Sequence, residues 1–166
     1  MSRTKKGCGI GAEYPYSHSI QLLFIILFTS SWFIDAIFLK TSIQFGNLII
    51  DIFRLTLFLL FLILAFLCIK SSGFIISEEI INQRRVVEQG IYSRVRHPMY
   101  LGILLIYVAF IFLTLSFICL IIFIFIIIIM NKMADYEENA LEKIFENEYR
   151  TYVKKTPKWI PKLKRN

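Results

Sequence analysis

Residues 99–130 run for 32 positions without a charged side chain. A chain of 166 residues has too little interior to hide such a segment from water together with the rest of its apolar content. Two further stretches, Ile20–Leu39 with 20 residues and Leu48–Ile69 with 22, are each long enough to cross a ~30 Å hydrocarbon core at ~1.5 Å per residue. Hydrophobic residues make up 57% of the chain and charged residues 19%. Mean hydropathy is +0.63. These values exclude intrinsic disorder and a disulfide-knit secreted module, and the chain is read as an all-α, polytopic integral membrane helical bundle.

As one straight helix, residues 99–130 would reach ~48 Å, more than modest tilt absorbs. A hairpin resolves the excess, with Thr114 and Ser116 marking the bend. The expected spans are then 20–39, 48–69, 99–114 and 117–130, followed by a cytoplasmic helix over 131–153, all within a single domain covering 1–166. In that last helix Glu138, Leu141, Phe145, Tyr149 and Tyr152 recur at steps of three or four and define one face. Basic residues number three before the first span, one in 40–47, five in 70–98, none at the bend and nine in 131–166. Cytoplasmic loops collect positive charge, so both termini are expected in the cytoplasm. The membrane is the plasma membrane for a prokaryotic chain and the endoplasmic reticulum for a eukaryotic one. The basic amino-terminal stretch is expected to be retained, and Cys8, Cys68 and Cys119 to be free thiols.

Charged residues inside spans need partners. Asp51 and Arg54, three apart, can pair on one helix face, and Asp35 is expected to reach water near the non-cytoplasmic end. The net charge of +7 is concentrated at the segment ends rather than on a nucleic-acid-binding face. Its six basic residues in 154–165 suit anionic membrane lipids. His18 stands without acidic or cysteine neighbours, so no metal site is expected. The 78–85 segment, with Glu78, Glu79, Arg84 and Arg85, reads as a solvated loop.

The densest polar cluster is Gly90-Ile91-Tyr92-Ser93-Arg94-Val95-Arg96-His97-Pro98-Met99-Tyr100-Leu101-Gly102, at the entry to the third span. Pro98 suits the first helical turn, which places Arg96 and His97 where unpaired N–H groups and the helix dipole favour an anion. The same residues also suit an interfacial belt that anchors a helix at the headgroups.

Gly90-x-Tyr92-x-x-x-Arg96-His97-Pro98-x-Tyr100-x-Gly102, followed by Glu137-Glu138-x-x-Leu141-x-x-x-Phe145-x-x-Glu148-Tyr149-x-x-Tyr152, resembles the isoprenylcysteine carboxyl methyltransferase and phospholipid methyltransferase family of integral membrane enzymes over about residues 84–161. The resemblance implies methyl transfer from S-adenosylmethionine to a lipid or lipid-attached acceptor at the cytoplasmic face, without nucleic acid or metal. It further implies a cofactor set of Val86, Val87, Tyr92, His97, Pro98, Met99, Tyr100, Gly102 and Glu137, and catalytic roles for Arg96, Glu137 and Glu138. Membrane sterol and steroid reductases using NADPH show a similar Arg-His-Pro-x-Tyr-x-Gly turn, and a noncatalytic scaffold would use these residues as anchors. In the reductases an acidic residue commonly follows the glycine, whereas Ile103 follows Gly102 here. The chain departs from the family pattern twice. Glu146 replaces the usual glycine after Phe145 and reads as a surface change of little consequence. Met133, with Lys132 beside it, stands where the prenylcysteine branch presents an arginine to the substrate carboxylate. The better acceptor is therefore expected to be a lipid amine or another lipid-linked group rather than a small prenylcysteine acid, with Met133→Arg expected to restore carboxylate recognition.

Overall fold

The computed structural model describes residues 14–39, 48–82 and 86–161. The amino-terminal basic residues, Cys8, the 40–47 connection, Arg84–Arg85 and the last basic residues of the tail lie outside them. The described chain forms α1 (Ser17–Ile34), continued by a π-helical turn (Asp35–Leu39), then α2 (Leu48–Asn82), a 3₁₀ turn (Gly90–Ser93), α3 (Pro98–Thr114) and α4 (Phe117–Lys155). α1, α2 and α4 are long and apolar enough to cross a membrane, and α3 adds a shorter apolar helix of 17 residues. The molecule is a helical membrane bundle.

The hairpin expected at 114–116 is present. Leu115 ends α3 in a left-handed conformation (φ 54°, ψ 35°), and the extended Ser116 starts α4 by accepting, through its hydroxyl, the Cys119 N–H at 3.4 Å. A serine at that place satisfies one of the first-turn N–H groups that every helix leaves open. Arg54 completes the join. Only 2% exposed, it stands 3.6 Å from Asp51 and donates to the Leu113 carbonyl in the last turn of α3. The Asp51–Arg54 pair therefore also fastens α2 to the end of α3. Asp35 departs from expectation: it is 1% exposed and faces the bundle interior, because it keeps the α-helical register and falls seven positions after Phe28, on the face of α1 that also buries Phe24 and Phe28.

α3 is the central helix. Against α2 it sets Phe110 on Phe58 and Phe112 on Phe61, the latter pair stacked at 5.2 Å. At Gly102 the backbones approach so closely that a Cβ would stand 3.0 Å from the Ala65 carbonyl oxygen and 3.3 Å from Cys68 Cβ. Between α1 and the α3–α4 hairpin, Phe24 and Phe28 bury against Tyr107, Ile126 and Met130, with Phe28 and Tyr107 edge to face at 4.8 Å. The opposite faces expose Leu22, Ile25, Phe53, Phe66 and Phe125, which suits hydrocarbon rather than water. Cys68 and Cys119 are free thiols.

Two extensions past the apolar spans shape the motif-bearing end. α2 remains helical to Asn82, so Glu78 and Glu79 lie on a helix rather than in the loop expected there. α4 runs without interruption from its apolar half through 131–145, so the expected cytoplasmic helix is not a separate element. Nor is it straight. Glu146 takes φ 46°, ψ −115°, and beyond it the chain folds back. Arg150 reaches Glu142 at 2.7 Å and Lys158 reaches Asp135 at 2.6 Å, although in a continuous helix residues eight apart would be separated by ~12 Å. The stripe from Glu138 to Tyr152 is thus divided between two arms of an elbow. The position read as a surface change is the turning point, in a region of backbone space that glycine occupies without penalty and other residues rarely enter.

Candidate functional site

The starts of α1 and α3 and the second half of α4 meet at one end of the bundle, together with α2 beyond its apolar run. Tyr14 packs edge to face on Tyr136 at 5.1 Å, and Ser72 of α2 shares a 2.7 Å hydrogen bond with the Tyr92 hydroxyl. The 3₁₀ turn ahead of α3 opens on Gly90, whose φ of 56° suits a residue lacking Cβ. That turn is held from the other side by the Tyr152 hydroxyl, which donates to the Tyr92 carbonyl at 2.7 Å. Burial pushes the Tyr92 phenol up to about 12, with the Glu137 charge adding to the shift and the Ser72 hydrogen bond opposing it. Burial likewise raises Tyr149 and Tyr152.

Arg96 is the hub. Its guanidinium grips Glu138 bidentately, Nε to Oε1 at 3.0 Å and Nη2 to Oε2 at 3.1 Å. Nη1 donates to the carbonyls of Val153 and Thr156 at 3.2 and 3.1 Å, and the Arg96 backbone N–H donates to the Pro157 carbonyl. Glu138 and Val153 would be ~22 Å apart on a straight helix, so this contact exists only because of the elbow. His97 adds Nε2 to Glu138 Oε1 at 2.8 Å. For Glu138 burial favours the protonated form, but the His97 hydrogen bond and the charges of His97, Arg96 and Lys158 outweigh it and hold the carboxyl below its usual range.

The neighbouring carboxylate has different company. The Tyr100 hydroxyl donates to Glu137 Oε1 at 2.5 Å, while Glu137 Oε2 and His97 Nδ1 stand 3.9 Å apart. His97 begins α3 without capping it through its side chain, and Pro98 occupies the first turn as expected. The two motifs, separated by the whole α3–α4 hairpin, therefore meet through two specific pairings, Glu138 with Arg96 and His97, and Glu137 with Tyr100. Val86 is drawn in by its N–H to Glu148 at 3.3 Å, and Val87 follows it, half-buried.

Other expected site residues are placed differently. Pro98 is fully buried, Met99 is 41% exposed on the outer surface of the first turn, and Gly102 faces α2, where it permits close helix packing. Met133 is 1% exposed in a cluster with Tyr100 and Ala134, against which Tyr14, Ile20 and Trp159 pack. An arginine there would bury a guanidinium in an apolar nest, so Met133→Arg is expected to destabilise the fold rather than restore carboxylate recognition.

The sequence reading missed Trp159 and its supports. The indole packs against His97 with centroids 5.8 Å apart and donates its N–H to Asn131 Oδ1 at 2.9 Å. Lys158, counted above with the lipid-facing basic tail, instead binds inward to Asn131 and Asp135. The available signal was Pro157 and Pro161 bracketing Lys158-Trp159-Ile160, which marks a turn rather than a trailing end. Among the described residues no group of three or more His, Cys, Asp or Glu side chains could hold a metal ion.

An apolar helical bundle with one ionisable cluster at the end of its central helix defines an integral membrane protein with a polar site at the rim of the lipid-facing body. A family model described as phospholipid methyltransferase matches residues 48–148, which takes in all of α2, the Arg96–Gly102 turn and both glutamates. The chain belongs to the phospholipid methyltransferase family, a family of membrane methyltransferases. Comparisons with curated proteins and with solved structures found no match.

Proposed function

We propose that the protein transfers a methyl group from S-adenosylmethionine to a lipid amine at the cytoplasmic face of its membrane, the whole chain acting as one membrane-embedded domain. The observation that carries the reading is the pairing of Glu137 and Glu138 with Tyr100, His97 and Arg96 at the start of α3. The donor set suits the methionine end of the cofactor, which bears a carboxylate and an ammonium. His97 and the first-turn N–H groups of α3 offer donors to the former, and Glu137, steadied by the Tyr100 hydroxyl, offers a carboxylate to the latter. When bound, the cofactor supplies an electrophilic methyl on sulfonium. Arg96 positions rather than reacts, because its guanidinium is taken up by Glu138 and two backbone carbonyls. Glu138, held ionised by that grip, is a poor base, so Glu137 is the carboxylate assigned to accept the proton that an amine acceptor sheds. The family match favours this reading over a reductase or a scaffold.

Binding of labelled S-adenosylmethionine to the detergent-purified chain tests the site. His97→Ala and Glu137→Gln are each expected to weaken it at least about tenfold, ~1.4 kcal/mol. Folded variants that bind like the parent would remove the site from this end of α3. For the acceptor, the apolar nest around Met133 offers no cation to a carboxylate. Methyl transfer to phosphatidylethanolamine should exceed transfer to farnesylcysteine; the reverse order would overturn the amine assignment.

The orientation in this reading rests on the distribution of basic residues along the sequence. Single cysteines at Phe117 and Asn147, in a cysteine-free background, are expected to label from opposite sides of sealed vesicles, with Asn147 on the cytoplasmic side. Any basic contribution to anionic lipid binding rests on tail residues other than Lys158.

A further inference from the structure

The last described turn carries more anchorage than a chain end needs. Three backbone carbonyls, of Val153, Thr156 and Pro157, are tied to Arg96. Next to them Lys158 donates to the Asn131 carbonyl, Asn131 Oδ1 and Asp135 Oδ1 at 3.2, 2.8 and 2.6 Å, and Trp159 donates to the same Asn131 Oδ1. Asn131 and Asp135 are one helical turn apart on α4 and are themselves bonded at 3.2 Å, so they form a ready-made bracket. The Lys158 ammonium, its charge answered by Asp135, lies 5.6 Å from the centre of the indole ring.

All of these contacts fix one large aromatic ring, and the ring lies against His97 and the Tyr100–Met133 cluster. That is the side on which α3 presents its opening turn. His97 and Tyr100 are only 8% and 4% exposed, and Trp159 is part of what covers them. The Asn131 Oδ1 acceptor satisfies the indole N–H, and with Lys158 and Asp135 beside it the bracket also fixes how the ring is oriented. A ring held in fixed orientation beside the cofactor-holding residues is what a cationic ligand needs, because a π face attracts a sulfonium or ammonium most strongly where water is excluded.

We propose that Trp159 is a cofactor-contacting residue, an aromatic wall of the S-adenosylmethionine site, and that Asn131, Lys158 and Asp135 are its positioning residues. This rests on the methyltransferase reading above and extends it beyond residue 148, where the family match ends.

The chain has two tryptophans, so Trp32→Phe leaves Trp159 as the sole indole fluorophore. In that background, titration of the full-length detergent-purified protein with S-adenosylmethionine should change the tryptophan emission saturably, with the midpoint given by binding of the labelled compound. Trp159→Phe, which keeps a π face, should bind within about twofold of the parent, whereas Trp159→Leu, apolar without one, should bind about fivefold or more weakly. Asn131→Ala should weaken binding less and alter the emission maximum of the unliganded protein. Emission that stays constant while the label saturates, or a Leu variant that binds like the parent, would overturn the assignment while leaving the methyltransferase reading intact. A folded parent that binds no S-adenosylmethionine would overturn both.

Discussion

Arg96→Ala is expected to cost about 3–5 kcal/mol of folding stability, the cost of breaking a buried ion pair from one side. The Arg96 and Glu138 side chains are only 11% and 16% exposed, and the guanidinium also holds two carbonyls across the elbow. Losing it leaves the partly buried Glu138 carboxylate with His97 in place of a two-point guanidinium grip, and frees the turn that carries Trp159. The measurement is thermal unfolding in detergent together with limited proteolysis near Lys154 and Lys155, where cleavage should become rapid. Arg96→Lys should recover only part of the loss, because an ammonium cannot reproduce the two-point grip on Glu138. An unchanged melting temperature for the alanine variant would show that the elbow is held by other contacts. The same pair predicts an acid limb. Glu138 titrates below the usual carboxylate value of 4.5, so its contribution is complete above that pH and is lost as pH falls through the lowered pKa. Glu138→Gln should remove that part of the acid sensitivity.

Glu146→Gly is expected to raise stability, by about 1 kcal/mol. A non-glycine residue at φ 46°, ψ −115° carries a conformational penalty of ~1–3 kcal/mol, from which the larger unfolded-state entropy of glycine subtracts ~0.5–1. Glu146 is exposed, so little packing is lost with its side chain. For a chain of this size the gain corresponds to a rise of ~2–4 °C in Tm. Glu146→Ala should give no comparable gain, since alanine keeps the Cβ that makes the conformation costly. Equal stability of the glycine variant and the parent would mean that the elbow imposes no strain at this residue.

The apolar lengths by themselves determined the architecture. Once 99–130 was too long for one crossing, a hairpin was required, and the polar pair Thr114 and Ser116 marked it: the Ser116 hydroxyl satisfies an open helix-start N–H where an aliphatic side chain could not, and the Thr114 hydroxyl donates to the Phe110 carbonyl at the end of α3. The motif residues Arg96, His97, Tyr100, Glu137 and Glu138 were legible for a similar reason: charged and hydroxyl groups at the end of an apolar helix must find partners, and here they found one another. Residue identity was enough for those inferences because a local mismatch with hydrocarbon announces itself in one dimension. The roles of Gly102, Met133 and Trp159 were decided only in three dimensions. Gly102 became a packing position because α2 approaches it, Met133 an apolar nest because Tyr14 and Trp159 close over it, and Trp159 a neighbour of His97 because the chain reverses at Glu146. That reversal rests on one left-handed residue and on a guanidinium reaching back to carbonyls 57 and 60 positions away. Periodicity registers neither, because it assumes that the helix continues.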